Sequence, residues 1–196
     1  MGRQGGRGSP GQATRGIGKE RPWGLIVVVA AVLAAFVGAL VLDLRGGGGG
    51  PPSGVEDVDI GQARQHTEAV VDYEQSPPAG GEHNPVWQNS GFYDEPVRNE
   101  TAVHTLEHGA VWITYQPDLP QEQKDAIREL AEGQTCVLAS PYEGLDAPVV
   151  ASAWGKQLRL EGANDPGLER FVRAYHQGPQ TPEPGAACTG GTADPA

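Results

Sequence analysis

Apolar and polar positions divide this chain sharply. Trp23 to Leu42, "WGLIVVVAAVLAAFVGALVL", runs twenty residues without a charge. A helix of that length, rising about 1.5 Å per residue, spans roughly 30 Å, the thickness of a bilayer core. A helix packed on a soluble core would carry a polar stripe, and this stretch carries none. The pattern predicts one transmembrane helix. The competing reading is a cleaved secretory signal, whose apolar region is shorter, about 7–15 residues, and ends at small residues. Here the run continues into "LVLDLRG", a poor cleavage context. Either way the remainder is exported.

Further along, the apolar period becomes that of a soluble domain. In "PDLPQEQKDAIRELAEG", Ala126, Ile127, Leu130 and Ala131 share one helical face. Asp118 is the expected N-cap, Pro120 falls in the first turn, and Gly133 is the stop. In "NDPGLERFVRAYHQG", Leu168, Phe171, Val172 and Tyr175 line one side, with Asp165 as N-cap, Pro166 first and Gly178 as the stop. Ala110–Tyr115 and Thr135–Ser140 read as strands flanking the first of these helices. Pro148–Trp154 reads as a strand that turns at "GK" and returns through Gln157–Leu160 as a hairpin. The order predicts an α+β domain: a small, mostly antiparallel sheet with two helices on one face. Val55–Asn99 is rich in Pro and Gly and reads as long ordered loops, with one short strand near Ala69–Tyr73. Loops of that length in a compact domain often carry function.

Boundaries follow from composition. Residues 1–22 form a basic tail, 23–42 the membrane span, and 43–54, containing "RGGGGGPPSG", a flexible linker. Residues 55–185 form one domain, and 186–196 read as a tail. Arg3, Arg7, Arg15, Lys19 and Arg21 precede the span, opposed only by Glu20. The basic side stays in the cytoplasm, so the expected protein is single-pass, with its C-terminal domain outside the cell membrane. The chain's net charge is −11, and with five bases and one acid in residues 1–42 the remainder carries −15. Such an acidic domain is a poor partner for nucleic acid. The two cysteines, Cys136 and Cys188, resemble neither a zinc knuckle nor a Cys-x-x-Cys redox pair. In an exported domain they are expected to form a disulfide across 51 intervening residues.

The candidate chemistry lies in "VHTLEHGAVWITY", Val103 to Tyr115. On a helix His104 and His108 share a face about 6 Å apart, within reach of one ion. On a strand four residues span about 13 Å, too far. A metal site therefore requires a short helix, capped by Asn99 and ended by Gly109, and on that helix Glu107 sits beside His104. His83, in the Pro- and Gly-fixed loop "PPAGGEHNPVW", is the expected third ligand. Three imidazoles suit zinc or copper, with a fourth place for water, a carboxylate or substrate. The only methionine is Met1, which excludes a thioether copper site. His-x-x-Glu-His is also the inverzincin pattern, in which His104 and His108 would bind zinc and Glu107 would be the catalytic base. Those enzymes carry it inside a long helix, whereas here Gly109 and a strand follow at once. A third reading makes the same residues structural, hydrogen-bonded to loop backbone in a partner-docking domain without metal. His66 and His176 read as surface residues. No nucleophile elbow and no phosphate loop occur.

The motifs "SPPAGGEHNPVW", "GFYDEPV", "VHTLEHGAVWITY", "SAWGKQLRL" and "GPQTPEPG" occur in order, and over Gln65 to Cys188 the chain resembles the bacterial family called domain of unknown function 3105. The resemblance implies an actinobacterial, membrane-anchored protein and no known activity. His83, His104, Glu107 and His108 fall on the family's motif histidines and glutamate.

Overall fold

The computed structural model describes residues 2, 27, 28, 32, 33, 50–61 and 64–196, in two units, 1–48 and 49–196. In the first unit Val27, Val28, Val32 and Leu33 are helical with exposed side chains. The rest of the expected span, 23–42, lies outside the described residues, among which no helix is long and apolar enough to cross a membrane.

The second unit is an α+β domain. Its strands are β1 (Glu56–Asp57), β2 (Gly91–Phe92), β3 (Val111–Tyr115), β4 (Val137–Pro141), β5 (Val149–Ala153) and β6 (Lys156–Leu160). Its helices are α1 (Asn99–Glu107), α2 (Gln121–Gly133) and α3 (Pro166–Tyr175). The six strands form one sheet in the order β1-β6-β5-β3-β4-β2. This sheet is mixed rather than mostly antiparallel: β4 runs parallel to both β3 and β2, while β3–β5, β5–β6 and β1–β6 are antiparallel. The parallel β3–β4 pair needs a crossover, which α2 supplies. The hairpin expected between Pro148 and Leu160 is present as β5–β6.

Among its described residues this unit has three helices, not two, and they lie on both faces of the sheet. Side chains alternate across a strand. Val111, Ile113 and Tyr115 therefore meet Ile127 and Ala131 of α2 and Leu168, Phe171 and Val172 of α3. Trp112 and Leu138 point the other way and pack with Ala102, Val103 and Leu106 of α1. All residues of β3, β4 and β5 are buried, as expected of strands covered on both sides. Each fully buried Leu, Val or Phe in these layers contributes about 1.5–3 kcal/mol.

Other local expectations are corrected in detail. Helix α2 starts at Gln121 behind Pro120 with no side-chain cap, because Gln116 to Leu119 close a turn of their own. At α3 the Asp165 carboxylate does accept from the Gly167 amide, at 2.7 Å, with Pro166 in the first turn. No strand forms at 69–73; the Val71 amide instead donates to Glu100 Oε1 at 3.0 Å. Residues 186–196 are laid against the domain, with amide–carbonyl bonds linking Thr192 to Trp87 and Asn89, and Ala196 to Pro96. Cys136 and Cys188 form a disulfide.

Candidate metal centre

Helix α1 shows little apolar period because both of its faces are buried. From Glu100 to Glu107 every residue is buried, and buried polar groups need partners. The long loop before the helix supplies them. Thr101 Oγ1 donates to Gln88 Oε1 (2.9 Å), Thr105 Oγ1 donates to the Gln88 carbonyl (2.7 Å), and Glu100 takes the Val71 amide. Segment 65–88 is thereby wrapped over the polar side of α1.

The helix ends where the sequence places its stop. Gly109 has φ +94°, and its amide and that of Ala110 donate back to the carbonyls of Leu106 and Thr105. This is the left-handed glycine termination that satisfies the last carbonyls of a helix. A Cβ at Gly109 would also sit 2.8 Å from Gln177 Nε2 and 2.9 Å from Thr181 Cγ2. The turn thus holds His104 and Glu107 on one side of α1, three residues apart. At its start Arg98 occupies the N-cap position without a side-chain bond; Asn99 donates instead to the Tyr142 hydroxyl.

Four side chains converge there. His66, His83, His104 and Glu107 each offer a ligand atom, and these atoms all lie within 4.8 Å of one another. The ring centroids of His66, His83 and His104 make a nearly equilateral triangle with sides of 4.9, 5.0 and 4.9 Å. His66 reaches the group through a single parallel bridge to His83, in which the Thr67 amide donates to the His83 carbonyl and the His83 amide to the Gln65 carbonyl. His83 is fully buried at the end of a loop tightened by Gly80, where a Cβ would meet Ile60 Cγ2 at 2.9 Å.

The tautomers follow from the partners, since a carbonyl only accepts. His83 Nδ1–H donates to the Gly81 carbonyl at 2.7 Å, and His104 Nδ1–H to the Asn84 carbonyl at 2.6 Å. Nδ1 of each ring is thereby engaged, leaving Nε2 as the free ring nitrogen. His83 Nε2 lies 3.0 Å from Glu107 Oε2, and His66 Nε2 lies 4.0 Å from the same oxygen. Glu107 Oε1 faces the exposed Arg64, whose Nε is 3.5 Å away. Burial lowers the His104 pKa to about 4, with the neighbouring His108, His83 and His66 acting the same way against the Asn84 carbonyl, which raises it. His104 is therefore neutral at physiological pH and able to ligate.

Of the residues named from the sequence, His83, His104 and Glu107 are brought together, and His66 completes the group in the place expected for His108. The His108 ring stands 4.6 Å from that of His104, but its Nδ1–H donates to the Ala187 carbonyl and its Nε2 faces Glu183 Oε2 at 3.7 Å. His176 lies apart, bonded to the Thr135 carbonyl. His66 was missed because nothing in "ARQHTEAV" repeats or caps; its partner is a loop residue reached through one bridge.

The chain matches the family described as "Protein of unknown function (DUF3105)" over residues 64–190, and it belongs to that family. No curated protein and no solved structure matches it. The matched segment contains the whole histidine–glutamate group and both cysteines.

Proposed function

We propose that the domain is a metal-handling module that binds one zinc or copper(II) ion through His66, His83, His104 and Glu107. One observation carries this reading. The two buried imidazoles each give Nδ1–H to a backbone carbonyl, and within a group whose ligand atoms all lie within 4.8 Å of one another His83 Nε2 faces the Glu107 carboxylate. Histidine ligands are fixed in this way in metal sites, with the second nitrogen donating to a carbonyl or carboxylate. His83 Nε2 and Glu107 Oε2 lie 3.0 Å apart, with Arg64 against the other carboxylate oxygen. Imidazole nitrogen and carboxylate oxygen converging in this way offer a divalent ion two ligand atoms. Both cysteines are in a disulfide, so the donors are imidazole and carboxylate, a set that suits zinc and copper(II) rather than copper(I). Tetrahedral bonds of about 2.0–2.1 Å place ligand atoms roughly 3.3 Å apart. The group must therefore contract on loading, and the half-exposed His66 is the member free to move.

With Glu107 as the fourth ligand, no base remains beside the ion. This favours binding over hydrolysis, in which Glu107 would activate a metal-bound water. Cobalt(II) titration of the full-length protein tests the reading. The intense visible bands of tetrahedral cobalt should saturate at one equivalent, and Glu107→Gln should weaken binding by about tenfold or more. Bands unchanged in Glu107→Gln would make Glu107 a base, and their absence from the wild-type protein would remove the metal altogether. If Trp23–Leu42 is the anchor its composition implies, the centre faces the outside, the compartment in which a disulfide persists.

A further inference from the structure

We propose that His108 and Glu183 form a second, solvent-side cation station beside the four-residue group, through which a divalent metal enters and leaves it. The proposal rests on the metal-handling reading above and adds a second, weaker equivalent to it.

His108 is buried, and its imidazole has the same arrangement as His83 and His104. Its Nδ1–H is held at 2.7 Å by a backbone carbonyl, that of Ala187, which leaves Nε2 as the free ring nitrogen. The atom facing Nε2 is again a carboxylate oxygen, Glu183 Oε2, at 3.7 Å. This is too long for a hydrogen bond. It is close to the roughly 3.3 Å that separates two ligand atoms on one tetrahedral ion. Glu183 is pinned next to the first group by its own backbone, whose amide donates to the Glu107 carbonyl at 3.1 Å. Its side chain is 48% exposed, while that of His108 is 7% exposed. The pair therefore has one member in solvent and one in the wall of the centre.

Its position beside His104 makes the pair a station rather than an isolated contact. The rings of His104 and His108 are 4.6 Å apart at nearly a right angle, and Trp87 closes over both, at 5.7 and 5.0 Å. An ion held by His108 and Glu183 with waters can exchange one ligand at a time onto His104. Two protein ligands bind a divalent ion less tightly than four, so the station fills after the first site and empties before it. The Cys136–Cys188 bridge fixes the segment that carries both Glu183 and the Ala187 carbonyl.

Zinc titration of the full-length protein against a competing chelator tests this. The wild-type protein should take one tight equivalent and one weaker one. Glu183→Gln, which keeps the side-chain size, and His108→Gln should each weaken the second equivalent by about tenfold or more and leave the first within about threefold. Transfer of the first equivalent to the chelator should also slow in both variants. One equivalent in the wild-type protein, or a second equivalent unchanged in both variants, overturns the station while leaving the first site intact. Loss of the tight equivalent in His108→Gln overturns it in favour of a single five-residue site. No binding at all in a folded protein fails the underlying metal reading instead.

Discussion

His83 and Glu107, 24 residues apart in the chain, meet at 3.0 Å between Nε2 and Oε2, both side chains sealed from solvent. The chain brings them together by folding a glycine-tightened loop over the polar side of α1. The other imidazole nitrogen already donates to the Gly81 carbonyl, so Nε2 is the ring nitrogen turned to the carboxylate. The Glu107 carboxylate also faces His66 and Arg64, so removing it would leave several donors and lone pairs unmatched at once.

His66→Ala is the variant that separates the site seen in the fold from the site expected from the motif. It should lower zinc affinity by roughly 100-fold or more, as loss of a direct ligand exceeds the 10–100-fold typical of outer partners. His176→Ala should leave affinity unchanged. His108→Ala should spare the tight equivalent. The order His66→Ala much weaker than His108→Ala is the result to look for by competition titration. The reverse order would restore His83, His104 and His108 as the ligand set.

Acid should destabilise the metal-free protein through His104. Its folded pKa is lowered from the ordinary 6.5 to about 4, so the unfolded chain binds this proton first. The contribution is complete above about pH 6.5 and is lost as pH falls from there towards 4, by up to roughly 3 kcal/mol at 1.36 kcal/mol per unit. Chelator-treated protein should show a falling urea midpoint between pH 7 and 5, and His104→Gln should flatten that slope. A midpoint that rises on acidification would contradict the placement of a neutral His104 in the interior.

The helices and central strands were legible because their signals are local. Asp165, Pro166 and the Leu168–Phe171–Val172 face announce α3, and Gly109 announces the end of α1. The parallel β3–β4 pairing was not legible, since strand direction is set by the crossover and not by the composition of either strand. Helix α1 was visible only through its histidine spacing. Its Thr101, Thr105 and Glu100 are polar yet buried, and that burial depends on a loop that arrives from 65–88. His66 lay beyond reach for the same reason. The backbone bonds from 186–196 to Trp87, Asn89 and Pro96 were not legible either, since they leave no mark on side-chain pattern.

The disulfide ties the last segment of the domain to β4. With a sequence separation of 52, chain-entropy reasoning gives about 4 kcal/mol of stabilisation. Reduction, or the double variant Cys136→Ala with Cys188→Ala, should lower the unfolding free energy by that order. Alkylation of the non-reduced protein should label neither thiol; labelling of both would refute the bridge.

Orientation can be read by fusion. A reporter placed after Ala196 that works only outside the cytoplasm should be active, in keeping with the basic flank before Trp23–Leu42. Activity confined to a cytoplasm-only reporter would place the metal centre on the wrong side for the account given above.

Metal content and affinity of the full-length protein decide whether the histidine–glutamate group binds an ion. Purified protein should carry zinc or copper near one equivalent, or take up one tightly in calorimetric titration after chelation. Acid should weaken that binding, because an imidazole must be neutral to ligate. The same preparation of a His83→Gln and His104→Gln double variant, shown to be folded by circular dichroism, should bind none. Wild-type protein that binds zinc and copper(II) no more tightly than this double variant would contradict the account and leave the histidine–glutamate group a purely structural clasp between loop and helix.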